Sequence, residues 1–356
     1  MPRTPTIPEI GIPTVVIKAD GQTLSPETAG DVISVEIEDT VDLPAMCHFT
    51  LGFWNQARQV LKEEYLTKFK MGTSIGVAMG YDTPPTLFTG EVTALEPSFG
   101  GEEAGDTLVV RAYNRLHRLR FGTHQRTFEK MKDSEIASAI ADEVGLSPEV
   151  KATPVKHPHV SQHNINNLSF LMGRAKPINY EVIVQDKTLF FRESREPAGP
   201  GIRLAYRREL LRFSPRQRTV SEGGAVEVRG WDVKTKKAIL GKAGSGDEAS
   251  KMGGSKTGAE ISAAAFLKST KTVTDLAVMD ASEANGIAKA IYNRQQRNFV
   301  EAEGVCSGIP DLLSGSTVEI EEVGTTFSGT YYLTSVTHTF DEQGYQTAFK
   351  ARRIAL

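Results

Sequence analysis

Residues 72–77, Gly-Thr-Ser-Ile-Gly-Val, return at 315–320 as Gly-Ser-Thr-Val-Glu-Ile. Phe88-Thr89-Gly90 follows the first copy, and Phe327-Ser328-Gly329 follows the second. Each is succeeded by a threonine-rich stretch, Glu91–Ala94 and Tyr332–Thr337, and then by a further strand-like run. Short Gly/Ser/Thr matches arise by chance in β proteins. Two in the same order point to duplication of a structural unit. The prediction is two similar β-domains in one chain.

The residues around these echoes support β structure. Cys47, Phe49, Leu51 and Phe53 alternate with His48, Thr50 and Gly52, and Ile33, Val35 and Ile37 alternate with Ser34, Glu36 and Glu38. Strict period two means one buried and one wet face, as in an antiparallel barrel or sandwich. Pro13–Lys18 is a further strand, ended by the hairpin signal Asp20-Gly21. Strands are expected at Ser74–Met79, Leu87–Leu95 and Leu108–Tyr113, with one short helix at about Gln56–Phe69.

The middle of the chain changes period. Ile136, Ile140 and Val144 share a helical face after a cap at Asp133, and Gly145 marks the stop. A second helix from about Asn167 buries Leu168, Leu171, Met172 and Ala175. Strands Tyr180–Gln185 and Thr188–Arg192 follow, joined by Asp186-Lys187. This is a small α/β unit. Beyond Arg203 the β character returns, with Ala225–Trp231 as a strand. The Gly/Ser/Lys-rich stretch Gly241–Gly258 reads as a mobile loop or linker. Helices are expected at Glu260–Leu267 and Ser282–Phe299, and strands over Thr317–Arg353. The fold class is mainly β with an α/β insertion. Its division is a first tube-like β-barrel at 1–122, a small α/β domain at 123–202, a second barrel from 203–240 and 301–356, and a Gly-rich loop and helical insertion at 241–300.

Composition narrows the function. The 356 residues are 39% hydrophobic and 24% charged, a globular balance. Lys+Arg 41 against Asp+Glu 44 gives a net charge of -3, which argues against a nucleic-acid binder. The two cysteines, Cys47 and Cys306, make neither a disulfide framework nor a Cys-rich zinc module and are expected as buried small hydrophobes. No stretch is apolar enough to span a bilayer. The Pro-rich start, MPRTPTIPEIGIP, does not read as a signal peptide, so folding in a reducing cytoplasm is expected.

Catalytic patterns are weak. His157, His159 and His163 form H-x-H-x3-H without a carboxylate or Cys to complete a metal shell, and a solvated loop is the favoured reading. Gly253-Gly-Ser-Lys256-Thr257 lacks the glycine spacing of a phosphate loop. Glu63-Glu64, Glu102-Glu103 and Glu321-Glu322 are adjacent pairs whose carboxylates point apart, unsuited to acid–base work. No catalytic, cofactor-binding or metal residue is assigned. Arginines cluster at Arg111, Arg115, Arg118 and Arg120 and again from Arg192 to Arg218, where Arg207, Arg208 and Arg212 lie. Acidic groups lie at Asp31, Glu36, Glu38, Asp39 and Asp42 and at Glu319, Glu321 and Glu322. Ordinary surface charge is the common outcome. The functional reading is complementary patches between subunits, with Arg207, Arg208, Arg212, Glu36 and Glu38 as candidate interface charges.

Five segments together resemble the phage late-control D family, the hub proteins of contractile tails. They are Leu87-Phe-Thr-Gly-Glu-Val-Thr-Ala-Leu-Glu-Pro97; Val110-Arg-Ala-Tyr-Asn-Arg-Leu-His-Arg-Leu119 with Asp133-Ser-Glu-Ile-Ala and Gly145-Leu146; Gln162-His-Asn-Ile-Asn-Asn-Leu-Ser-Phe-Leu171; Val228-Arg-Gly-Trp-Asp232; and Phe327 to His338. The family-motif residues so marked are Phe88, Gly90, Gln162, Asn164, Leu168, Phe170, Leu171, Gly230, Trp231, Gly329, Tyr331 and His338, all structural. The chain is also similar to the hub part of type VI spike proteins. The resemblance implies a homotrimer whose six barrels form a ring, matching a three-fold spike below to a six-fold inner tube above. Other baseplate proteins surround it. It implies no cofactor, no sequence-specific contact to nucleic acid and no membrane insertion. Synthesis would be in the bacterial cytoplasm, followed by assembly into a phage tail or injection particle. Lys176-Pro177-Ile178-Asn179 departs from the family's glycine turn, and Asn179 is expected in the left-handed region. With nothing after Leu356, the spike is expected as a separate protein. The rivals are a tail-associated cell-wall hydrolase and a receptor- or carbohydrate-binding β protein. The second needs exposed aromatic platforms, whereas Trp54 and Trp231 are expected to be buried.

Overall fold

The computed structural model describes residues 5, 11–101, 105–194, 201–220 and 224–356. The Glu102-Glu103 pair and the start of the chain, residue 5 apart, lie outside them. The first region holds β1 (Pro13–Ala19), β2 (Gln22–Thr23), α1 (Pro26–Gly30), β3 (Val32–Thr40), β4 (Met46–Gly52), β5 (Trp54–Asn55), β6 (Val60–Leu61), α2 (Glu64–Lys68), β7 (Ser74–Tyr81), β8 (Thr86–Phe99) and β9 (Asp106–Tyr113). The middle holds a 3-10 turn at Arg115–Arg120, β10 (His124–Lys132), α3 (Asp133–Glu143), β11 (Ser147–Val150), β12 (Lys156–Ile165), α4 (Asn167–Ala175), β13 (Tyr180–Gln185) and β14 (Thr188–Glu193). The last region holds β15 (Ile202–Ala205), β16 (Leu210–Gln217), β17 (Ala225–Asp232), β18 (Lys237–Gly244), α5 (Gly258–Ala265), β19 (Thr270–Val273), α6 (Ala281–Gln296), β20 (Val300–Ser307), β21 (Thr317–Glu321), α7 (Gly324–Phe327), β22 (Gly329–Asp341) and β23 (Gly344–Arg353).

The fold is mainly β with an α/β insertion. A 13-stranded sheet runs through both ends of the chain, in the order β16-β20-β23-β22-β3-β4-β9-β8-β7-β1-β2, with β21 and β15 branching from β22. It contains the same six-strand unit twice. In the first, β3-β4-β9-β8-β7-β1 are neighbours; in the second, β16-β20-β23-β22-β21-β15. Chain order within each unit is also the same. They differ at the last strand: β1 pairs antiparallel with β7, whereas β15 pairs parallel with β21. Each unit has its own core. Val35, Ile37, Cys47, Phe49, Leu51 and Val110 lie in one, and Leu204, Leu210, Tyr331, Leu333, Val336 and Phe349 in the other.

The units match rung by rung. Gly72 donates to Val92 O at 2.9 Å and Val92 N donates back to Thr73 O at 2.9 Å; Gly315 and Leu333 with Ser316 repeat both bonds at the same lengths. Gly72 and Gly315 hold φ of +84° and +74°, the left-handed region a glycine enters without strain. A bulge follows at Thr93 in β8 and at Thr334 in β22. Each threonine hydroxyl donates across its bulge, to Arg111 O at 3.4 Å and to Lys350 O at 3.2 Å. A second bulge sits at Ile33 in β3 and at Leu211 in β16.

That bulge corrects the expected alternation at Ile33, which is turned out and 54% exposed; Leu211, its counterpart, is 53% exposed. The echo itself is corrected by two residues. Ladder register matches Phe88 with Gly329 and Gly90 with Tyr331, so large and small side chains have changed places. The helix expected at Gln56–Phe69 shrinks to α2. Asn55 Oδ1 accepts from Arg58 N at 3.0 Å, and Gln59 turns left-handed at φ +55°, making a β5–β6 hairpin instead.

The α/β unit lies between the two repeats in sequence. α3 and α4 pack with β11, β13 and β14 around Ile136, Ile140, Leu171, Leu189 and Phe191. The cap of α3 is Lys132, one residue earlier than expected, and Glu135 accepts from its N–H at 2.8 Å. Asn179 is left-handed at φ +56°, as its position required. The hairpin β17–β18, grouped by sequence with 203–240, pairs with β19 rather than with the large sheet. It forms a separate core with α6. Gly241 makes this possible, because a Cβ there would lie 2.2 Å from the Ala284 backbone. Residues 241–244, expected as loop, are therefore strand.

Candidate interaction surface: a sheet seam and two open edges

The bulge at Thr334 divides β22 into two halves with different partners. Residues 329–332 pair with β21, and residues 335–340 pair antiparallel with β3. A bulge bends a strand and increases its twist, which here frees the second half for a new neighbour. This seam joins the two repeats. Its rungs are Ser335–Thr40, Val336–Asp39, Thr337–Glu38, His338–Ile37, Thr339–Glu36 and Phe340–Val35. Val41 N donates to Thr334 O at 3.0 Å and extends it. Ser314 donates to Asp39 through its N–H at 3.2 Å and its hydroxyl at 2.7 Å.

His338 is buried on the inward face of the seam. Its Nε2–H donates to Leu312 O at 3.0 Å, and its Nδ1 accepts from the Tyr345 hydroxyl at 2.8 Å. Thr347 Oγ1 lies 3.2 Å from the same Nδ1 and accepts from Ile309 N–H at 2.9 Å. Burial lowers the imidazole pKa to about 4, against a smaller raising effect from the Leu312 carbonyl. The residue is a neutral structural pin that ties the seam to the loop after β20.

Among the described residues, the same half-strand in the first repeat is open. Residues 94–99 of β8 pair with β9 on one side, while β7 reaches only Thr86–Glu91. Leu95, Pro97 and Phe99 occupy the places of Val336, His338 and Phe340. Val336 and His338 are buried, Leu95 is half-buried, Pro97 is exposed, and Phe99 is 66% exposed. The other end of the sheet is open too. Among the described residues, β16 pairs with β20 on one side only, apart from an isolated bridge between Tyr206 and Leu210. Phe213 and Pro215 are half-buried where Val35 and Ile37 are fully buried. A strand edge with unpaired backbone groups is a template for another strand.

The remaining expected site residues do structural work. Phe88 is buried in the first core, and Gly90 packs so tightly that a Cβ would lie 2.3 Å from Tyr113 O. Gln162 is buried; its Oε1 accepts from Arg126 Nε at 2.8 Å, and its Nε2 donates to Ile165 O and Asn167 Oδ1, both at 3.0 Å. Asn164 turns left-handed at φ +52° before α4. Leu168, Phe170 and Leu171 are buried, with Phe170 stacked on Phe128 at 5.6 Å. Gly230 lies under Val278, and Gly329 under the Arg353 guanidinium. Tyr331 is buried and donates to Phe327 O at 2.8 Å. Trp231 is 59% exposed and Trp54 is also exposed, against expectation. Val226 and Val228 turn inward on β17, so Trp231, of opposite parity, must face out.

The charged candidates separate. Glu36 and Glu38 lie on β3, both of whose edges are occupied within the chain. Arg208 pairs with Glu322 at 2.9 Å, while Arg207 and Arg212 are exposed. Arg115 and Arg118 turn inward. Glu91 accepts from Arg115 Nε and Arg118 Nε, both at 3.0 Å, and Arg115 reaches Asp186 at 2.6 Å, tying β8 to the α/β unit. Burial would raise the Glu91 carboxyl, but the two guanidiniums outweigh it and hold the pKa low. The histidine segment is the strand β12, not a loop. His157 there contacts Asp133 at 3.1 Å and Arg174 at 2.9 Å. Among the described residues, no group of three or more His, Cys, Asp or Glu is placed to hold a metal. Cys47 and Cys306 are buried, and burial pushes both thiols up, leaving them unreactive. Sequence reasoning missed Leu95, Glu96, Pro97 and Phe99 and Phe213, Pro215 and Arg216 as edge residues. The signal was available in Pro97 and Pro215, because a proline inside a strand pattern marks an edge.

Comparison with known proteins places this architecture. The prophage MuSo2 43 kDa tail protein from Shewanella oneidensis superposes with a TM-score of 0.70 at 13% identity, over 96% of this chain and 98% of that one. The tail protein from Neisseria meningitidis MC58 gives 0.68 at 14%, over 96% and 97%. The E. coli c3393 protein, a component of the type VI secretion system, gives 0.57 at 12%, over 95% and 77%. The chain has the fold of these tail and type VI proteins. No curated protein matches the sequence. The family model described as the Alg8 N-terminal domain matches residues 9–342, and the chain belongs to that family.

Proposed function

We propose that this chain is a structural, non-enzymatic baseplate hub of a contractile injection particle, of the late-control D kind. In this reading it is a homotrimer that adapts a three-fold spike to a six-fold inner tube and nucleates the tube. The observation that carries the reading is the six-strand unit present twice in one chain and joined by its own seam. Two near-equivalent units per subunit give six around a three-fold axis, which offers a six-fold tube six similar platforms. The likeness to tail proteins supports the same role.

Four structural parts are proposed within the chain. Residues 13–113 and residues 202–220 with 299–356 are the two ring units. The α/β unit over 114–194 is tied to the first through Glu91, Arg115 and Asp186, and the β17–β19 and α6 unit over 224–297 packs on the second through Met252 and Ile261. The spike protein, the inner tube protein and other baseplate proteins are the proposed partners. The bore would pass DNA or a protein payload without reading it.

The test is the mass of the purified full chain by light scattering, alone and with its spike and tube proteins. A trimer, or a monomer that becomes trimeric with the spike, is the expected result. A monomer indifferent to both partners would remove the hub reading. Muralytic and glycan-binding assays on the same preparation address the rivals.

A further inference from the structure

We infer that the two open edges are the halves of one inter-subunit seam: β8 of one copy adds to β16 of the next copy, antiparallel, in the register of the seam already present inside the chain. The inference rests on the trimer reading above and supplies its contact. Its basis is the repeat itself. The second half of β22 covers β3 within one chain. β8 is the counterpart of β22, and β16 the counterpart of β3, matched through both bulges and through the β9 and β23 ladders. A chain holding both halves of the same joint, with only one joint made, carries the complementary pair on its two ends. Such a contact is head-to-tail, and it closes a ring when the rotation permits.

The register follows from the intrachain rungs. Ala94 faces Arg218, Leu95 faces Gln217, Glu96 faces Arg216, Pro97 faces Pro215, Ser98 faces Ser214 and Phe99 faces Phe213, the latter of each pair in the next copy. Three independent features agree with it. Glu96, held within its own chain by Arg111 at 3.0 and 3.2 Å, faces Arg216, so opposite charges stand directly across the joint and Arg216 would join an existing ion pair. The edge prolines share one rung, so the hydrogen bonds that a proline cannot donate are lost together and the flanking rungs stay whole. Phe99, 66% exposed, is the counterpart of Phe340, which packs on the first core; across the joint it would cover Phe213, which packs on the second. In the free chain, the prolines blunt edges that would otherwise pair without selection.

Cysteine pairing tests the register on the full chain. The Glu96→Cys and Arg216→Cys variants are each mixed with themselves and with one another, then oxidised gently; the native thiols are buried. Covalent dimers only in the mixture, and a covalent trimer from the double variant, are expected. A trimer by light scattering that gives no covalent band would overturn this joint and leave the hub reading standing. A chain monomeric with and without its spike would overturn both. Charge reversal gives the second measurement. Arg216→Glu should weaken the trimer roughly tenfold, and Glu96→Arg combined with it should restore most of that. Far-UV circular dichroism of each variant reports that the monomer is folded. A folded Arg216→Glu chain that trimerises like the parent would overturn the assignment.

Discussion

β22 and β8 begin alike and end differently. Both bond through paired backbone groups to a left-handed glycine turn that precedes the neighbouring strand, both bulge at the next residue, a threonine, and both continue as a long strand. Beyond the bulge, β22 carries Val336 and His338 into a buried seam, while β8 carries Leu95, Glu96 and Pro97 along an edge. The difference shows what a duplicated unit can do. The copies kept the backbone device that splits a strand between two neighbours. They diverged in whether the second neighbour is supplied by the same chain. The side chains record that divergence: a buried, hydrogen-bonded imidazole where the partner is permanent, and a proline flanked by a charge where it is not.

The sharpest way to break this comparison is to place the same insult on both sides. Ile37 and Pro215 are counterparts, one in the seam and one on the open edge. Ile37→Asp buries a carboxylate between β4 and β22 and is expected to cost about 4 kcal/mol or more. Pro215→Asp stays in contact with solvent and is expected to cost under about 1 kcal/mol in the separated chain. Urea unfolding of the two variants measures both. Equal losses would mean that β16 is as enclosed as β3.

The imidazole of the seam has no counterpart on the open edge, so it should give the first repeat's neighbour strand a pH signature of its own. An unfolded chain protonates His338 near the ordinary value of 6.5, whereas the folded chain holds it neutral down to about 4. Between these values the unfolded chain binds more protons, so stability falls as pH drops from about 6.5 to about 4 and this contribution is flat above and below. The loss is on the order of 3 kcal/mol, at about 1.4 kcal/mol per unit. Comparing urea midpoints of the parent and His338→Asn across that window isolates the effect, since carboxylates titrate in both. Parallel curves would sink it.

Exchanged packing gives a smaller contrast. Gly90 and Tyr331 are the same rung of the two repeats. Adding a methyl at Gly90 forces it against Tyr113 O and the Phe88 ring, at 2.3 and 2.4 Å. Gly90→Ala should cost about 2 kcal/mol by overpacking. The double variant Gly90→Ala/Phe88→Leu should recover part of it by shortening the ring's reach. A neutral Gly90→Ala chain, by the same urea assay, would mean that the first core has slack here.

Much of this was legible in the residues, and the exceptions share causes. Period two over Cys47–Phe53 and period 3.6 over Asn167–Ala175 are local properties, and both elements formed where the pattern put them. Asn179 took the left-handed position because the turn needs one residue able to hold it. What failed depended on partners distant in sequence. A bulge is set by the opposing strand, so Ile33 could not announce that it faces out. Gly241 looked like linker because the helix backbone that needs its missing side chain lies more than forty residues on. Trp231 looked buried because an aromatic in a strand usually is, but the face it occupies is fixed by α6 packing on the other side. The echo was real and its alignment was not. Phe88 and Gly329 share a rung, so matching like letters missed a pair whose sizes had been exchanged. The seam followed the same rule: both of its strands were predicted, but their meeting was not.

The finest contrast concerns the threonines of the two bulges. Thr93 and Thr334 each donate a hydroxyl to the carbonyl opposite the bulge, at 3.4 and 3.2 Å. A bulge breaks the ladder locally, and a side-chain donor that reaches the exposed carbonyl replaces part of the lost bonding. Replacing the hydroxyl by a methyl with Thr→Val keeps the β-branched shape and removes only that bond, worth about 1 kcal/mol. The two positions should nevertheless part in hydrogen exchange. Thr334→Val loosens the start of the seam, so the Val41 amide, which donates to Thr334 O, should exchange about tenfold faster. Thr93→Val loosens a half-strand that pairs with β9 alone among the described residues, so the amides of β3 should be unmoved. A change in β3 exchange on Thr93→Val would mean that the two bulges are coupled through the sheet, and the repeats could no longer be treated as separate units that share one joint.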